Sequence, residues 1–213
     1  ATLELTEENL EGLNNPLREF GFQYKTLKSV ELPPNITEIQ QYCFLNANIE
    51  TVKTYASKFG KYMFQYAVCP NIYFLSNTFT ADEYTSHLFF DNVANFKLHF
   101  NSKEAYEYFL RVTIPIVSVF LDIRNYYVYY GEDEPATEVD IPAEVVSFGS
   151  GSCYPFRNNK TIQKVRFLGD ITFVSNYAFN GASNLQEVDF TACTTVPTLE
   201  NRNAFGSNAS NLQ

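Results

Sequence analysis

Tryptophan is absent from these 213 residues, methionine occurs once and histidine twice. The histidines, His87 and His99, are surrounded by no H-E-x-x-H and no close Cys/carboxylate cluster, so no metal site is expected. They also leave little to serve as base for a Ser or Cys nucleophile, and no G-x-S-x-G elbow occurs. No catalytic residue and no cofactor is therefore expected. Basic residues are scarce: 15 Lys and Arg against 24 Asp and Glu give a net charge of −9. A chain that acidic repels nucleic acid and anionic lipid, and neither is expected as a partner. No run approaches the roughly 20 apolar residues that span a bilayer, so no direct membrane insertion is expected. No signal peptide is visible from Ala1 onward. The four cysteines, Cys43, Cys69, Cys153 and Cys193, are scattered without C-x-x-C spacing. Most of them read as small buried apolar residues rather than zinc ligands or a disulfide framework.

What is present is aromatic and turn-forming: 20 Phe, 15 Tyr and 21 Asn, with 45% hydrophobic residues overall. That composition excludes disorder, and the asparagines favour turns over helices. The order in it is a repeat. Ile162-Gln163-Lys164-Val165-Arg166-Phe167 and Leu185-Gln186-Glu187-Val188-Asp189-Phe190 share apolar residues at offsets 0, 3 and 5. Leu27–Leu32, followed by Pro33, and Ala136–Ile141, followed by Pro142, repeat the pattern. With weaker copies, repeats start at 27, 49, 72, 93, 114, 136, 162 and 185. Each run reads as a strand with one buried face.

Two more landmarks keep the same phase. An apolar pair (Ile36/Ile39, Val145/Phe148, Ile171/Val174) follows each clear strand, and an aromatic signal follows the pair. That signal is Tyr42-Cys43-Phe44, Tyr62-Met63-Phe64, Tyr154-Pro155-Phe156, Tyr177-Ala178-Phe179 and Asn203-Ala204-Phe205. One unit cannot bury its apolar edge alone, so the units must stack, with the Phe of each coil on the Phe of the next. Residues Thr6 to Leu13 read as a short amphipathic helix, which makes 1–26 a cap and 27–213 the array. Over about 101–135 the array is degenerate or interrupted; Asn101 to Leu110 carries a capping residue and helix formers. A competing division is two arrays, roughly 27–100 and 126–213, joined by an insertion. The chain stops at Asn211-Leu212-Gln213, where another strand is expected, so the array is expected to continue past that point.

The units Leu27–Asn48, Ala136–Asn159, Ile162–Ser183 and Leu185–Ser210 resemble BspA-type leucine-rich repeats. That pattern is an apolar strand ending in Ile-Pro or Leu-Pro, a spaced Val/Ile pair, then Ala-Phe and a small polar turn. Ile141-Pro142 and Tyr177-Ala178-Phe179 match it well. The likeness fades over 49–135, where Thr54 and Asn77 replace the apolar offset-5 residue. The resemblance implies a right-handed leucine-rich-repeat solenoid, β-rich, α/β horseshoe-like, with one parallel sheet and about eight coils. It further implies a bacterial or mucosal-parasite protein, secreted or on the cell surface, that binds a protein or glycan ligand, host-derived in an adhesin-like role. No catalytic residues come with the family. Two other readings stay open: a structural spacer that presents another domain or packs in a larger assembly, and an accessory module of a larger enzyme. The oligomeric state is left open.

Offsets 2 and 4 point outward from the expected sheet, and adjacent coils bring like offsets about 4.8 Å apart. The last coils then give two rows of alternating charge, Glu138–Lys164–Glu187 and Asp140–Arg166–Asp189, which satisfy each other. The middle of the face differs. There the register predicts exposed Phe74 and Ile116 beside Asn95, Lys97 and Ser118, an apolar patch rimmed by polar groups. Tyr126, Tyr127, Tyr129 and Tyr130 add amphipathic anchors to this expected ligand site. Gly149-Ser150-Gly151-Ser152 lacks the Lys of a phosphate loop, and Glu132-Asp133-Glu134 reads as a solvated turn.

Overall fold

The computed structural model describes residues 3–80, 88–89, 96–113, 126–131, 133–149, 154–200 and 203–206. In chain order its elements are β1 (Glu4–Leu5), a 3-10 turn at Glu8–Leu10, β2 (Thr26–Glu31), β3 (Glu38–Ile39), β4 (Asn48–Thr54) and β5 (Lys58–Phe59). There follow β6 (Asn71–Phe74), β7 (Phe96–Phe100), α1 (Lys103–Thr113) and β8 (Tyr126–Tyr130). The chain continues through β9 (Glu138–Ile141), β10 (Ser147–Phe148), β11 (Lys164–Phe167), β12 (Phe173–Val174), β13 (Glu187–Asp189) and β14 (Thr198–Leu199). Most coils run a long strand, a turn and a two-residue strand, as the spaced apolar pairs demand.

All recorded strand pairs are parallel. The long strands form two sheets rather than one: β1-β2-β4-β6-β7-β8, and β9-β11-β13. In the first, Leu5, Val30, Val52, Ile72, Leu98 and Val128 share one inward row. In the second, Val139, Val165 and Val188 do. The single eight-coil sheet is thus replaced by two, and the break falls after β8, not before it.

The first coil corrects the sequence reading. Leu5 pairs with Val30, Leu17 bridges Ile39, and Phe22 stacks on Phe44 at 5.2 Å. Residues 4–25 therefore follow the path of a repeat, and the expected helix over Thr6–Leu13 shrinks to one 3-10 turn that buries Leu10. The helix after Asn101 is present: the Ser102 hydroxyl accepts the Ala105 N–H at 3.2 Å, capping α1.

Between the sheets and the turns lies one aromatic column. Phe44 and Phe64 stack at 5.0 Å, as the spacing of the aromatic signal predicts, and Phe22 and Phe89 extend the stack at 5.2 and 5.6 Å. Tyr126, Phe156, Phe179 and Phe205 continue the arrangement at 5.2, 6.0 and 5.3 Å. Tyr126 belongs to the first sheet and Phe156 to the second array, so the core is continuous where the sheet is not. Asn159, buried at the same joint, donates from Nδ2 to the Tyr126 carbonyl at 2.9 Å. Its Oδ1 accepts the backbone N–H groups of Thr161 and Ile162, both at 2.9 Å.

Candidate binding surface

The outward rows of the long strands are where side chains of successive coils meet. At the start of the first sheet and throughout the second they are matched charges. Lys28 meets Glu4 at 2.5 Å, Lys53 meets Glu31 at 2.7 Å, and Lys164 meets Glu187 at 2.6 Å. Arg166 reaches Asp140 at 2.6 Å and Glu138 at 3.0 Å. The expected pairings Glu138–Lys164–Glu187 and Asp140–Arg166–Asp189 are the register observed. Asp140 also takes the Lys103 ammonium at 2.7 Å, tying α1 to β9. Burial alone would raise the Asp140 carboxyl; the hydrogen bonds from Arg166 and Lys103 win and hold it below the ordinary range.

In mid-sheet the chemistry changes. The row that begins Glu31–Lys53 continues through Tyr73, His99 and Tyr129. Lys53 lies over the Tyr73 ring at 5.9 Å, Tyr73 stacks on His99 at 4.0 Å, and His99 on Tyr129 at 4.2 Å. The neighbouring row is Ser29–Thr51–Asn71–Lys97–Tyr127. From these rows Asn71, Tyr73, Lys97, His99 and Tyr129, together with Asn101, Gly131 and Asp133, border a cleft of about 370 Å³. Burial between the tyrosines, and then the charge of Lys97, push His99 down to about 4. The imidazole is neutral at physiological pH, and its Nε2 is buried with no hydrogen-bond partner among the described residues.

The expected ligand site falls in this region, and the structure brings only some of its residues to the outward face. Lys97 and Tyr127 are on the outward face as expected. Phe74 is not: it is fully buried, packed on Phe100 at 5.1 Å and Phe109 at 4.9 Å. The reason is register. Ile72, read as the first residue of its repeat, lines up with Val52, three positions further along. An odd slip moves every side chain to the other face. The repeat read from 93 slips by two, since Leu98 joins that same row, and an even slip leaves Lys97 outside. Tyr126 is buried, its hydroxyl 2.9 Å from that of Tyr106, and Tyr130 also points inward. Tyr129 lies on the outward row but is only 8% exposed beside His99. Asn95, Ile116 and Ser118 lie outside the described residues. Tyr73 and His99 were missed; their signal is the offset-4 row, which becomes visible only in the true register.

A second cavity, about 410 Å³, lies on the turn side between Glu19, Glu38, Gln40, Gln41 and Lys58. Its polar groups answer one another: Gln41 donates to Glu19 at 2.5 Å, Gln40 accepts the Glu19 N–H at 3.0 Å, and Lys58 meets Glu38 at 3.4 Å. The strand-face cleft is the one that retains unmatched groups.

A family model described as the BspA-type leucine-rich-repeat region matches six copies, over residues 15–132 and 122–212. No curated protein and no solved structure matches the chain. The match begins at residue 15, inside the first coil, and runs across the break between the sheets. By its repeat, its parallel strands and that match, the chain belongs to the BspA-type leucine-rich-repeat family.

Proposed function

We propose that this chain is a non-enzymatic binding module whose partner, a protein, rests on the open face of the six-stranded sheet. The family is generally a non-enzymatic repeat module, typically surface-associated or secreted. No described helix is long and apolar enough to cross a membrane. The observation that carries the reading is the change along the outward rows. Matched ion pairs over β1, β2 and β4, and again in the second sheet, give way at Asn71, Tyr73, Lys97, His99, Tyr127 and Tyr129 to an aromatic and polar patch beside a cleft. Aromatic groups ringed by polar ones are the usual make-up of a protein contact. A surface held by a parallel sheet is already ordered and loses little entropy on binding. The action is adhesin-like contact at a cell surface, with the second array, whose charges cancel internally, as a stiff extension.

The test is biolayer interferometry of the whole chain against a panel of mucosal matrix proteins and glycans. A Lys97→Glu/Tyr127→Asp variant is run beside a Lys164→Glu/Glu187→Lys control. A protein hit weakened at least tenfold by the first variant and untouched by the control is the expected result. A hit indifferent to the first variant removes the site. No hit across the panel transfers the weight to a spacer role.

A further inference from the structure

The long strands carry five basic side chains of Lys and Arg among the described residues: Lys28, Lys53, Lys97, Lys164 and Arg166. Four have a carboxylate within hydrogen-bonding reach on a neighbouring coil. Lys97 has none among the described residues, and Asp133, which borders the same cleft, has no cation in reach among them. A lone exposed lysine says nothing by itself. Here it coincides with the buried, unpartnered Nε2 of His99, and a buried polar atom without a partner calls for one from outside. One cleft thus holds an unmatched cation and an unmatched anion among the described residues, with the neutral His99 ring and its buried Nε2 in its wall.

The stacking decides what kind of ligand can use them. His99 is covered on both faces, Tyr73 on one face by His99 and on the other by Lys53. Tyr129 is covered by His99 and nearly buried. Among the described residues, the stacked Tyr73 and His99 therefore offer no free ring face on which a sugar could lie. What the row offers is ring edges and hydroxyls, which suit amide and charged groups. Net charge narrows the choice further. The field of a chain at −9 opposes a polyacidic partner, while Lys97 opposes a polybasic one at this spot. A segment bearing one charge of each sign is opposed by neither.

We infer that the cleft takes a mixed-charge peptide segment of the partner protein, with a carboxylate on Lys97 and a cation on Asp133, lying against the His99 ring. This rests on the reading of the sheet face as a protein-binding surface and names the chemistry it selects.

The test is a proton NMR titration of the whole chain, observing the His99 ring, which is told from the other histidine by a His87→Gln variant. Four synthetic Gly/Ser peptides carry Glu and Lys, Glu alone, Lys alone, or neither; a hyaluronan tetrasaccharide is the fifth probe. The mixed-charge peptide is expected to move His99 and to bind about fivefold tighter than either single-charge peptide, the size of one exposed ion pair. Lys97→Met should abolish the advantage of Glu, and Asp133→Asn that of Lys. Equal binding of all four peptides, or preferences unchanged in the two variants, overturns the inference. So does a His99 shift with hyaluronan while the peptides are silent, which makes the site an acidic-glycan site. If the panel partner is lost in Lys97→Glu/Tyr127→Asp while no peptide moves His99, the surface stands and this inference fails. If that partner is indifferent to the variant, both fail.

Discussion

Burial sets the chemistry of the two cysteines enclosed by the first array. Cys43 and Cys69 are buried and free, and burial pushes both thiols up to about 12. The thiolate is the nucleophile, so at pH 8 neither is expected to react with iodoacetamide until the chain unfolds. Mass spectrometry of native and urea-treated samples checks this; labelling of either cysteine in the native protein contradicts it. His99 gives the second residue-scale expectation. Its pKa falls from 6.5 to about 4 on folding. Above 6.5 the ring is neutral in both states; between 6.5 and 4 the unfolded chain takes up a proton that the folded chain refuses. Stability is therefore lost as the pH falls through that window, and the loss levels off below it. His99→Gln should flatten this part of the urea-midpoint profile. The sequence carried the residue types here but not their settings. Thr54 sits at an apolar position of the repeat, yet it is buried and accepts the Ala56 N–H at 3.0 Å, closing the turn that follows β4. That compensation is a local hydrogen bond, which no hydrophobic pattern records.

At the scale of elements, the aromatic column and the close coil contacts hold the array. Phe44 is fully buried between Phe22 and Phe64. Phe44→Ala removes a ring from both stacks and leaves a cavity, at an expected cost of about 4 kcal/mol read from the chemical denaturation midpoint. Gly60 is needed for a different reason: a Cβ there would stand 2.2 Å from the Gln41 amide nitrogen. Two backbones meet at that point, so Gly60→Ala should cost about 2 kcal/mol by the same measurement. The Phe column was legible because the aromatic signal recurs at a near-constant spacing and requires no knowledge of register. The strand faces of the middle coils were not. Parity decides them, and the interval between inward residues varies from Val52 to Ile72, Leu98 and Val128. One residue more or less in a turn exchanges the inside for the outside, which is how Phe74 came to be expected at the surface.

At the scale of the molecule, the joint between the two sheets is the distinctive feature. The backbone ladder stops at β8, and the connection rests on the Tyr126–Phe156 stack, Asn159 to the Tyr126 carbonyl, the Ala136 N–H to the Val128 carbonyl, and Lys103 on Asp140. Stability in stacked repeats is a sum of units and nearest-neighbour contacts, so weakening one contact can uncouple the parts on either side. Asn159→Ala removes its bond to the Tyr126 carbonyl and the acceptor of the Thr161 and Ile162 N–H groups, the second of them buried, and should cost about 3 kcal/mol. Calorimetry is expected to show one transition for the native chain and two for this variant, with the shorter array melting first. A single shifted transition would mean that the aromatic core alone keeps the halves cooperative.

The sequence by itself determined the coil. Apolar residues at fixed offsets, Ile-Pro and Leu-Pro at the ends of strands and an aromatic residue at each turn are local requirements, and each unit states them separately. The charge rows of Glu138, Lys164, Glu187, Asp140 and Arg166 were legible for the same reason, since the copies that carry them are nearly identical in spacing. Only the tertiary structure decided how irregular units align: that residues 4–25 form a coil, that the sheet divides after Tyr130, and that Tyr73, His99 and Tyr129 come together in one row. Those outcomes depend on which residue of one turn lies beside which of the next, and that pairing is fixed by the packing of the whole stack rather than by any single repeat.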